Sequence, residues 1–315
     1  DIGVIFNTNA YGDNFRLRHN LNYKYPGRNP SFNDVVEYNG KLYGMTRMGG
    51  SNDAGLIFEW DPITNVYTKK IDFFSNGAFP EGSLTLYAGK FYGMTSLGGI
   101  NNGGVIFEWD PVTNVYSKKI DLSTANGNRP YGNLVMHGGK FYAMTLYGGV
   151  NDKGVIFEWD PVTNVYSKKI DLSTAVGSNP SGSLTLIAGK FYGLTQNGGS
   201  NNEGVIFEWD PVTNVYSKKI DLTLATGRTP WGSLVYYAGK LYGMTPSGGS
   251  NNMGVIFEWD PVTNGYTKKI DFSFANGCNP LGSLALSNGK FYGMVRDCGA
   301  SSAGVIFEWD PLTNV

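Results

Sequence analysis

One pair of carboxylates recurs along the chain at a spacing that could do chemistry. Glu108 and Asp110 are separated by one residue, so on a strand both side chains lie on the same face. Two carboxylates that flank one bond are the arrangement of a glycosidase. The pair is found in six copies, however, whereas an active site is normally single. We therefore interpret it as structural: Asp110 caps the Asp-Pro turn, and Glu108 pairs with a lysine of an adjacent repeat.

Other reactive side chains are few and scattered. His19 and His137 are the two histidines, and they lie in different kinds of segment. The chain contains no His/Cys cluster with metal-ligand spacing, no Gly-x-Ser-x-Gly elbow, no P-loop and no calcium loop. Asn-Asn pairs such as 101–102 are explained by tight turns. The sequence therefore predicts no catalytic residue, no metal and no cofactor.

The motif that contains the carboxylate pair is repeated through the chain. Gly-Val-Ile-Phe-Glu-Trp-Asp-Pro recurs at intervals of 50 residues. Its copies begin at Gly104, Gly154, Gly204, Gly254 and Gly304, with a near copy (GLIFEWDP) at Gly55 and a partial one (GVIFN) at Gly3. Self-similarity at a fixed period of this length is typical of tandem-repeat folds.

Each repeat contains four short apolar segments. In residues 84–122 these are LTLY, KFYGMT, VIFEWD and VYSKKIDL, each bounded by Gly, Pro, Asn or Asp. Aromatic and β-branched residues dominate them, and none shows helical periodicity over ten residues. The repeat is therefore predicted to be a four-stranded antiparallel meander, the blade of an all-β propeller.

The order of these motifs resembles the kelch repeat. The full pattern GKFYGMT…GG.NN.GVIFEWDP.TN is most similar to the Gloeo/Verruco (GloVer-type) tandem repeats of secreted bacterial proteins, and only residues 7–34 match it poorly. The resemblance implies that LTLY lines a central channel, that the repeated Trp packs between blades and that the Lys-Lys strand is outermost. Kelch-like propellers are mostly binding platforms and occasionally enzymes. The copper centre of galactose oxidase, a kelch-type propeller, would have too few ligands here.

The segments predict six blades in a single domain of residues 1–315, with seven blades as the alternative. The blades begin near residues 35, 84, 134, 184, 234 and 284. The sixth stops after its third strand, at Asp310, so we expect residues 1–22 to close the ring by adding a strand at 15–21. One copy of the GVIF strand is then spare: either it lies outside the sheet, or the array belongs to a longer protein. A seven-bladed ring would need strands that this chain does not supply.

Differences between the copies concentrate in two loops, one after the fourth strand and one around the Gly-Gly doublet. Both are predicted to lie on the same rim of the blades. Rigid β folds carry their binding sites on variable loops, and aromatic and arginine residues are enriched at binding hot spots. The candidate ligand-binding residues are Trp231, Tyr131, Tyr147, Phe79, Arg129 and Arg228. Local packing of aromatic residues in recently duplicated loops is the alternative.

The two cysteines, Cys278 and Cys298, flank the hairpin centred on Asn288-Gly289. Their positions are opposite each other when the hairpin pairing is extended to the variable loops. We expect them to form a disulfide that staples the last blade, which suits an oxidising compartment. Two unrelated free thiols are the alternative.

Bulk composition excludes some function classes. The formal net charge is −1 and there is no basic segment, so the electrostatic signature of a nucleic-acid-binding protein is missing. No apolar segment approaches the roughly 18 residues of a membrane span. The predicted function is a non-catalytic binding propeller of a secreted or surface bacterial protein, which binds protein or glycan through the variable-loop rim. Alternatives are an architectural module beside neighbouring domains of a larger surface protein or filament, and a lyase- or glycosidase-type enzyme with its site at the channel mouth.

Overall fold

The computed structural model describes residues 4–7, 16–20, 27–30, 34–300 and 302–314. All regular secondary structure in these residues is β-strand. The chain divides into two compact units, Asp1–Leu134 and Val135–Val315.

The first unit holds a two-stranded sheet and two four-stranded blades. The two-stranded sheet consists of β1 (Val4–Asn7) and β2 (Arg16–Asn20). The first blade consists of β3 (Val36–Tyr38), β4 (Lys41–Thr46), β5 (Leu56–Asp61) and β6 (Val66–Asp72). The second consists of β7 (Thr85–Tyr87), β8 (Lys90–Thr95), β9 (Val105–Asp110) and β10 (Val115–Asp121).

The second unit continues the same meander through four more blades. The third blade consists of β11 (Val135–His137), β12 (Lys140–Thr145), β13 (Val155–Trp159) and β14 (Tyr166–Asp171). The fourth consists of β15 (Thr185–Ile187), β16 (Lys190–Thr195), β17 (Val205–Asp210) and β18 (Val215–Asp221). The fifth consists of β19 (Val235–Tyr237), β20 (Lys240–Thr245), β21 (Val255–Trp259) and β22 (Tyr266–Asp271). The sixth has three strands: β23 (Ala285–Ser287), β24 (Lys290–Val295) and β25 (Val305–Trp309). The predicted all-β fold of six antiparallel blades is confirmed.

The turns of each blade follow from their residues. Between the first and second strands, Ala88 and Gly89 both have positive φ, which matches the right-handed twist of a tight hairpin. Between the third and fourth strands, Asp110 Oδ1 accepts hydrogen bonds from the amides of Val112 and Thr113 at 2.8 and 3.2 Å. The predicted capping role of this aspartate is therefore confirmed.

Within each unit, adjacent blades pack through two different faces, which we name for their direction along the chain. The forward face looks towards the next blade and carries Tyr43, Met45 and Ile57 in the first blade. The rear face of the second blade carries Phe91 and Trp109, whose ring centroids lie 4.8 and 5.7 Å from that of Tyr43. The Trp is fully buried there, so its predicted packing between blades is confirmed.

The same interface recurs in the second unit with nearly the same geometry. The Tyr142 ring lies 4.7 Å from that of Phe191 and 5.8 Å from that of Trp209. A small residue in the second strand makes room for a phenylalanine of the same blade, because a Cβ at Gly93 would lie 2.6 Å from Phe107. This close approach lies within one blade, not between neighbouring blades.

The strand at residues 16–20 does not pair with the sixth blade, where the sequence analysis placed it. β2 pairs with β1 (Phe6 opposite Leu17, Asn7 opposite Arg16), and among the described residues no strand pairs with the outer edge of β25. The GVIF strand at the N-terminus thus has its own fourth-strand partner, as the corresponding strands have in complete blades. The remainder of the predicted closing segment, including residues 21–22, lies outside the described residues.

Candidate functional site

The loop after the fourth strand of one blade meets the loop after the second strand of the next blade. In the second blade Ala78 and Leu97 exchange backbone hydrogen bonds of 2.8 and 3.0 Å, and Arg228 and Ser247 form the equivalent bridge in the fifth blade. We call the surface formed by these two kinds of loop the variable rim. The prediction that both loops share a rim is confirmed for the first, second, fourth, fifth and sixth blades, where this bridge is formed.

Framework side chains hold the Gly-Gly loop of each rim in one conformation. In the second blade Asn102 Oδ1 accepts a hydrogen bond from the Gly98 amide at 3.0 Å, and Asp121 Oδ1 accepts one from the Ile100 amide at 2.8 Å. Burial alone would raise the pKa of Asp121, but the Lys118 ammonium and the Ile100 amide outweigh it and keep the pKa low. The Asn pairs therefore act in turns, as expected from their sequence.

Hydrogen bonds also link the inner ends of successive blades just before each first strand. In the second unit the Ser183 amide donates to Ser233 Oγ at 2.7 Å, and the Ser233 amide donates to Ser283 Oγ at 2.8 Å. In the first unit the Ser83 amide donates to Asn133 Oδ1 at 2.6 Å. Rim residues that precede these positions are therefore carried on a rigid backbone.

In the first unit the rim presents three of the predicted site residues. Arg129 is exposed, whereas Phe79 and Tyr131 are half-buried. The guanidinium of Arg47 lies 5.4 Å from the Phe79 ring centroid, and its Nε donates to Glu81 Oε1 at 2.6 Å. The Phe79 ring is thus covered on one side by a cation from the preceding blade.

The second unit presents the other three. Trp231 and Tyr147 each expose 36% of their surface. The Trp231 carbonyl accepts a hydrogen bond from Ser181 Oγ at 2.8 Å, so the backbone of this residue is fixed while its indole faces solvent. Arg228 is half-buried and donates to Glu203 Oε1 at 3.2 Å and to Asn252 Oδ1 at 3.4 Å. Its guanidinium therefore braces neighbouring loops.

The repeated carboxylate pair lies away from these loops and is satisfied within its own blade. Glu108 is bound by Lys90 at 2.8 Å, by the Tyr92 hydroxyl at 3.1 Å and by Lys119 at 3.5 Å. Burial alone would raise the pKa of Glu108, but these partners outweigh it and keep the pKa below its ordinary value. The predicted structural role holds, whereas the prediction of an adjacent-blade lysine is wrong: the second and fourth strands of the same sheet supply both cations.

Comparison with known proteins identifies the repeat. The Gloeobacter/Verrucomicrobia repeat matches residues 1–187 and 170–315. The chain belongs to this family. No curated protein matches the chain.

Four solved structures similar to this Gloeobacter/Verrucomicrobia repeat protein are each under 25% identical to it, so their likeness shows the fold alone. A putative 6-phosphogluconolactonase from Bacteroides uniformis aligns with a TM-score of 0.60 and 15% identity over 92% of this chain and 83% of its own. TolB from Acinetobacter baumannii aligns with a TM-score of 0.51 and 14% identity over 82% of this chain. A nidogen/laminin complex aligns with a TM-score of 0.51 and 11% identity over 89% of this chain and 94% of that one. The chain spans 57% of the length of TolB and 25% of that of the tricorn protease, a fourth similar structure. The fold of the family member is thus a β-propeller.

Two rim features of this repeat protein were missed by sequence reasoning. Glu81 is buried and unique among the residues that follow the loop proline, where the other copies carry Ser, Tyr, Trp or Leu. Burial raises the pKa of Glu81, although Arg47 acts in the opposite direction. Glu203, the partner of Arg228, likewise stands where the second, third and fifth blades have Gly, Lys and Met. Comparison of charged residues between copies could have found both ion pairs.

A disulfide links the rim loops of the sixth blade. Cys278 and Cys298 form a disulfide between the two rim loops of the sixth blade, with Cα atoms 5.4 Å apart, as predicted. Within the described ranges no three His, Cys, Asp or Glu side chains are placed to hold a metal ion. None of the described residues forms a helix that could span a membrane.

Proposed function

We propose that this chain is a non-catalytic binding module that holds a protein or glycan ligand on its variable rim. The exposure of Trp231 carries the proposal. The tryptophans of the Glu-Trp-Asp motif are buried. Trp231, in contrast, lies on a variable loop, is exposed, and accepts a hydrogen bond at its backbone carbonyl. A large rigid ring of this kind gives contact area at a low entropic cost and stacks on sugar rings or apolar side chains.

The contrast between framework and rim supports the proposal. Framework strands are nearly identical between copies, and their turns and inner ends are fixed by hydrogen bonds. Residues that differ between copies lie on the rim loops, among them the aromatic and arginine residues predicted as site residues. Variable side chains on a rigid scaffold are the usual construction of a binding surface.

We place this module in a secreted or surface protein. The disulfide of the sixth blade supports this location, because disulfides persist in oxidising compartments and are rare in a reducing cytosol. Membership of a bacterial repeat family is consistent with it.

Glycan arrays and protein pull-downs test the binding function. Wild-type protein is compared with Trp231→Ala and with Val212→Ala, whose side chain is 87% exposed at the turn end of the fourth blade, away from the rim. We expect Trp231→Ala to lower affinity for a bound ligand at least tenfold and Val212→Ala to leave it unchanged. Equal binding by all three proteins removes Trp231 from the site, and loss in both variants points to a surface other than the rim.

An architectural role is the second candidate, favoured by the edge of β25. Among the described residues this edge has no fourth strand, and a free edge strand adds readily to a neighbouring sheet. Sedimentation velocity between micromolar and millimolar concentrations tests this function. A single monomeric species throughout would contradict it.

A further inference from the structure

Three side chains of the variable rim lie at the junction of the fourth and fifth blades: Gln196, Thr229 and Trp231. Trp231 exposes 36% of its surface, and the other two are half-buried. Within the part of the chain that the structure describes, no hydrogen bond is formed by the Gln196 side-chain amide, the Thr229 hydroxyl or the Trp231 indole nitrogen. Their donors and acceptors are therefore available to a ligand.

The equivalent junction of the first unit shows how the repeat places these side chains. There Arg47 Nε donates to Glu81 Oε1 at 2.6 Å, and the Arg47 guanidinium lies 5.4 Å from the Phe79 ring centroid. In the same order, the equivalents of Arg47, Phe79 and Glu81 at the junction of the fourth and fifth blades are Gln196, Thr229 and Trp231. A neutral amide and an indole thus replace an ion pair whose members satisfy each other.

A backbone acceptor of the same loop also lacks its usual partner. The Gln196 amide of the fourth blade donates to the Asn179 carbonyl at 3.2 Å, which ties two rim loops together. Pro246 takes the equivalent place in the fifth blade, and proline has no amide hydrogen to donate to the Thr229 carbonyl. Among the described residues no other group donates to this carbonyl. It is therefore a further acceptor in the loop that carries Trp231.

Thr229 holds a strained backbone conformation. Its φ is +51°, in the left-handed region that β-branched residues rarely adopt. Asparagine tolerates this region and occupies the equivalent positions in three other loops: Asn29, Asn179 and Asn279. Strain of this kind is typical of functional sites, so it supports a role for this loop beyond the framework.

We propose that Trp231, Gln196 and the Thr229 carbonyl bind a neutral saccharide, an inference that rests on the binding function proposed above for the rim. The C–H face of a sugar ring stacks on the indole, and its hydroxyls, each a donor and an acceptor, match the side-chain amide and the carbonyl. An apolar protein side chain in the same place would leave these polar groups unpaired, which is costly.

Charge favours the neutral class of saccharide. Gln196, Thr229 and Trp231 are uncharged, and the guanidinium of Arg228 in the same loop is already bound by Glu203. An acidic sugar would have to break this ion pair to gain a cation.

The experiment replaces each group with the residue that another copy of the repeat has at the same position, so the framework accommodates every change. An array of neutral and of acidic glycans selects the probe, and isothermal titration calorimetry with the strongest neutral glycan measures its affinity. The variants are Gln196→Leu (as Leu146), Trp231→Ser (as Ser181) and Pro246→Ser (as Ser96, whose amide is present). Arg296→Leu is the matched control, because Arg296 is the exposed equivalent of Gln196 on the sixth blade.

We expect Gln196→Leu and Trp231→Ser to weaken binding about tenfold, Pro246→Ser to weaken it about threefold because its amide occupies the Thr229 carbonyl, and Arg296→Leu to leave it unchanged. Unchanged affinity in Gln196→Leu or Pro246→Ser overturns the inference, as does an array that responds to acidic glycans alone or to none. A protein captured by wild type but not by Trp231→Ser would uphold the rim as a binding surface and overturn its saccharide ligand. If arrays and pull-downs both find no ligand, the proposed function falls as well.

Discussion

Removal of the disulfide tests how much it stabilises the sixth blade, and the second blade provides a natural reference because it has the same framework without a disulfide. Ala78 and Gly98 occupy the positions of Cys278 and Cys298. The double variant Cys278→Ala/Cys298→Gly therefore replaces the bridge with a pair that the same framework already accommodates. These are the two cysteines of the chain, so the double variant contains no thiol.

The expected magnitude combines two opposing effects. The bridge closes a loop with a sequence separation of 20, which in the chain-entropy description stabilises the fold by about 3 kcal/mol. Cys298 has φ +67°, in the left-handed region where Gly98 sits at φ +83°, and a non-glycine residue there costs roughly 1 kcal/mol. The double variant should thus lose about 2 kcal/mol of unfolding free energy.

Urea unfolding followed by tryptophan fluorescence measures this difference. Cys278→Ala/Cys298→Ala is the matched control: it also lacks the bridge but keeps a Cβ at positive φ, so it should be roughly 1 kcal/mol less stable than the glycine variant. Wild-type protein with dithiothreitol should lose about 3 kcal/mol relative to the oxidised form. Identical urea midpoints for oxidised and reduced wild-type protein would refute the reasoning.

Three further predictions concern packing and pH. Trp109→Ala should lower the unfolding free energy by about 3–5 kcal/mol, because it leaves a cavity between two blades. Trp231→Ala should change it by less than about 0.5 kcal/mol, because Trp231 is exposed. Thermal unfolding measures both. The pKa of Glu81 is raised in the folded state, so the native protein binds this proton more tightly than the unfolded chain does. Wild type should therefore gain stability relative to Glu81→Gln as the pH falls from 7 through the folded-state pKa. Urea midpoints of the two proteins that stay parallel across this pH range would contradict the prediction. The pKa of Glu158 shifts in the opposite direction: burial alone would raise it, but Lys140 and Tyr142 outweigh burial and lower it. At pH 7 the unfolding free energy of wild type should therefore exceed that of Glu158→Gln by roughly 1.5–3 kcal/mol. This difference should disappear as the pH falls through the lowered folded-state pKa, and urea unfolding measures it.

Much of the blade could be predicted because its information is local. A period of two in each strand fixes which residues share a face, so the packing of Trp109 between blades followed from the sequence. The pairing of Cys278 with Cys298 followed from extending one hairpin. Similar turns at nearly equal spacing predicted six blades, with seven as the alternative, and the structure has six.

The contacts that were predicted wrongly or missed are those for which the sequence offers several partners of the same residue type. Lysines of the same blade and of neighbouring blades were all possible partners of Glu108. The register of the sheet shows that Lys90 and Lys119 of the same blade both contact it. The contact between Arg47 and Glu81 joins two blades through long side chains, whose reach no periodicity describes. At the chain ends two copies of one strand competed for the same role, and residue types alone gave no preference between them.

The near identity of the third strands has a consequence for folding kinetics. β12 ends at Thr145 and its partner β13 begins at Val155, but β17, with the same VIFEW sequence, begins only 50 residues later. Either pairing would make the same hydrogen bonds and contacts, so mainly the loop entropy separates them. Closing about 60 residues instead of about 10 costs only about 1.6 kcal/mol more, or roughly fifteenfold in population. A refolding chain should therefore populate frame-shifted blades that must dissolve before the native order forms, and slow, concentration-independent refolding phases are expected.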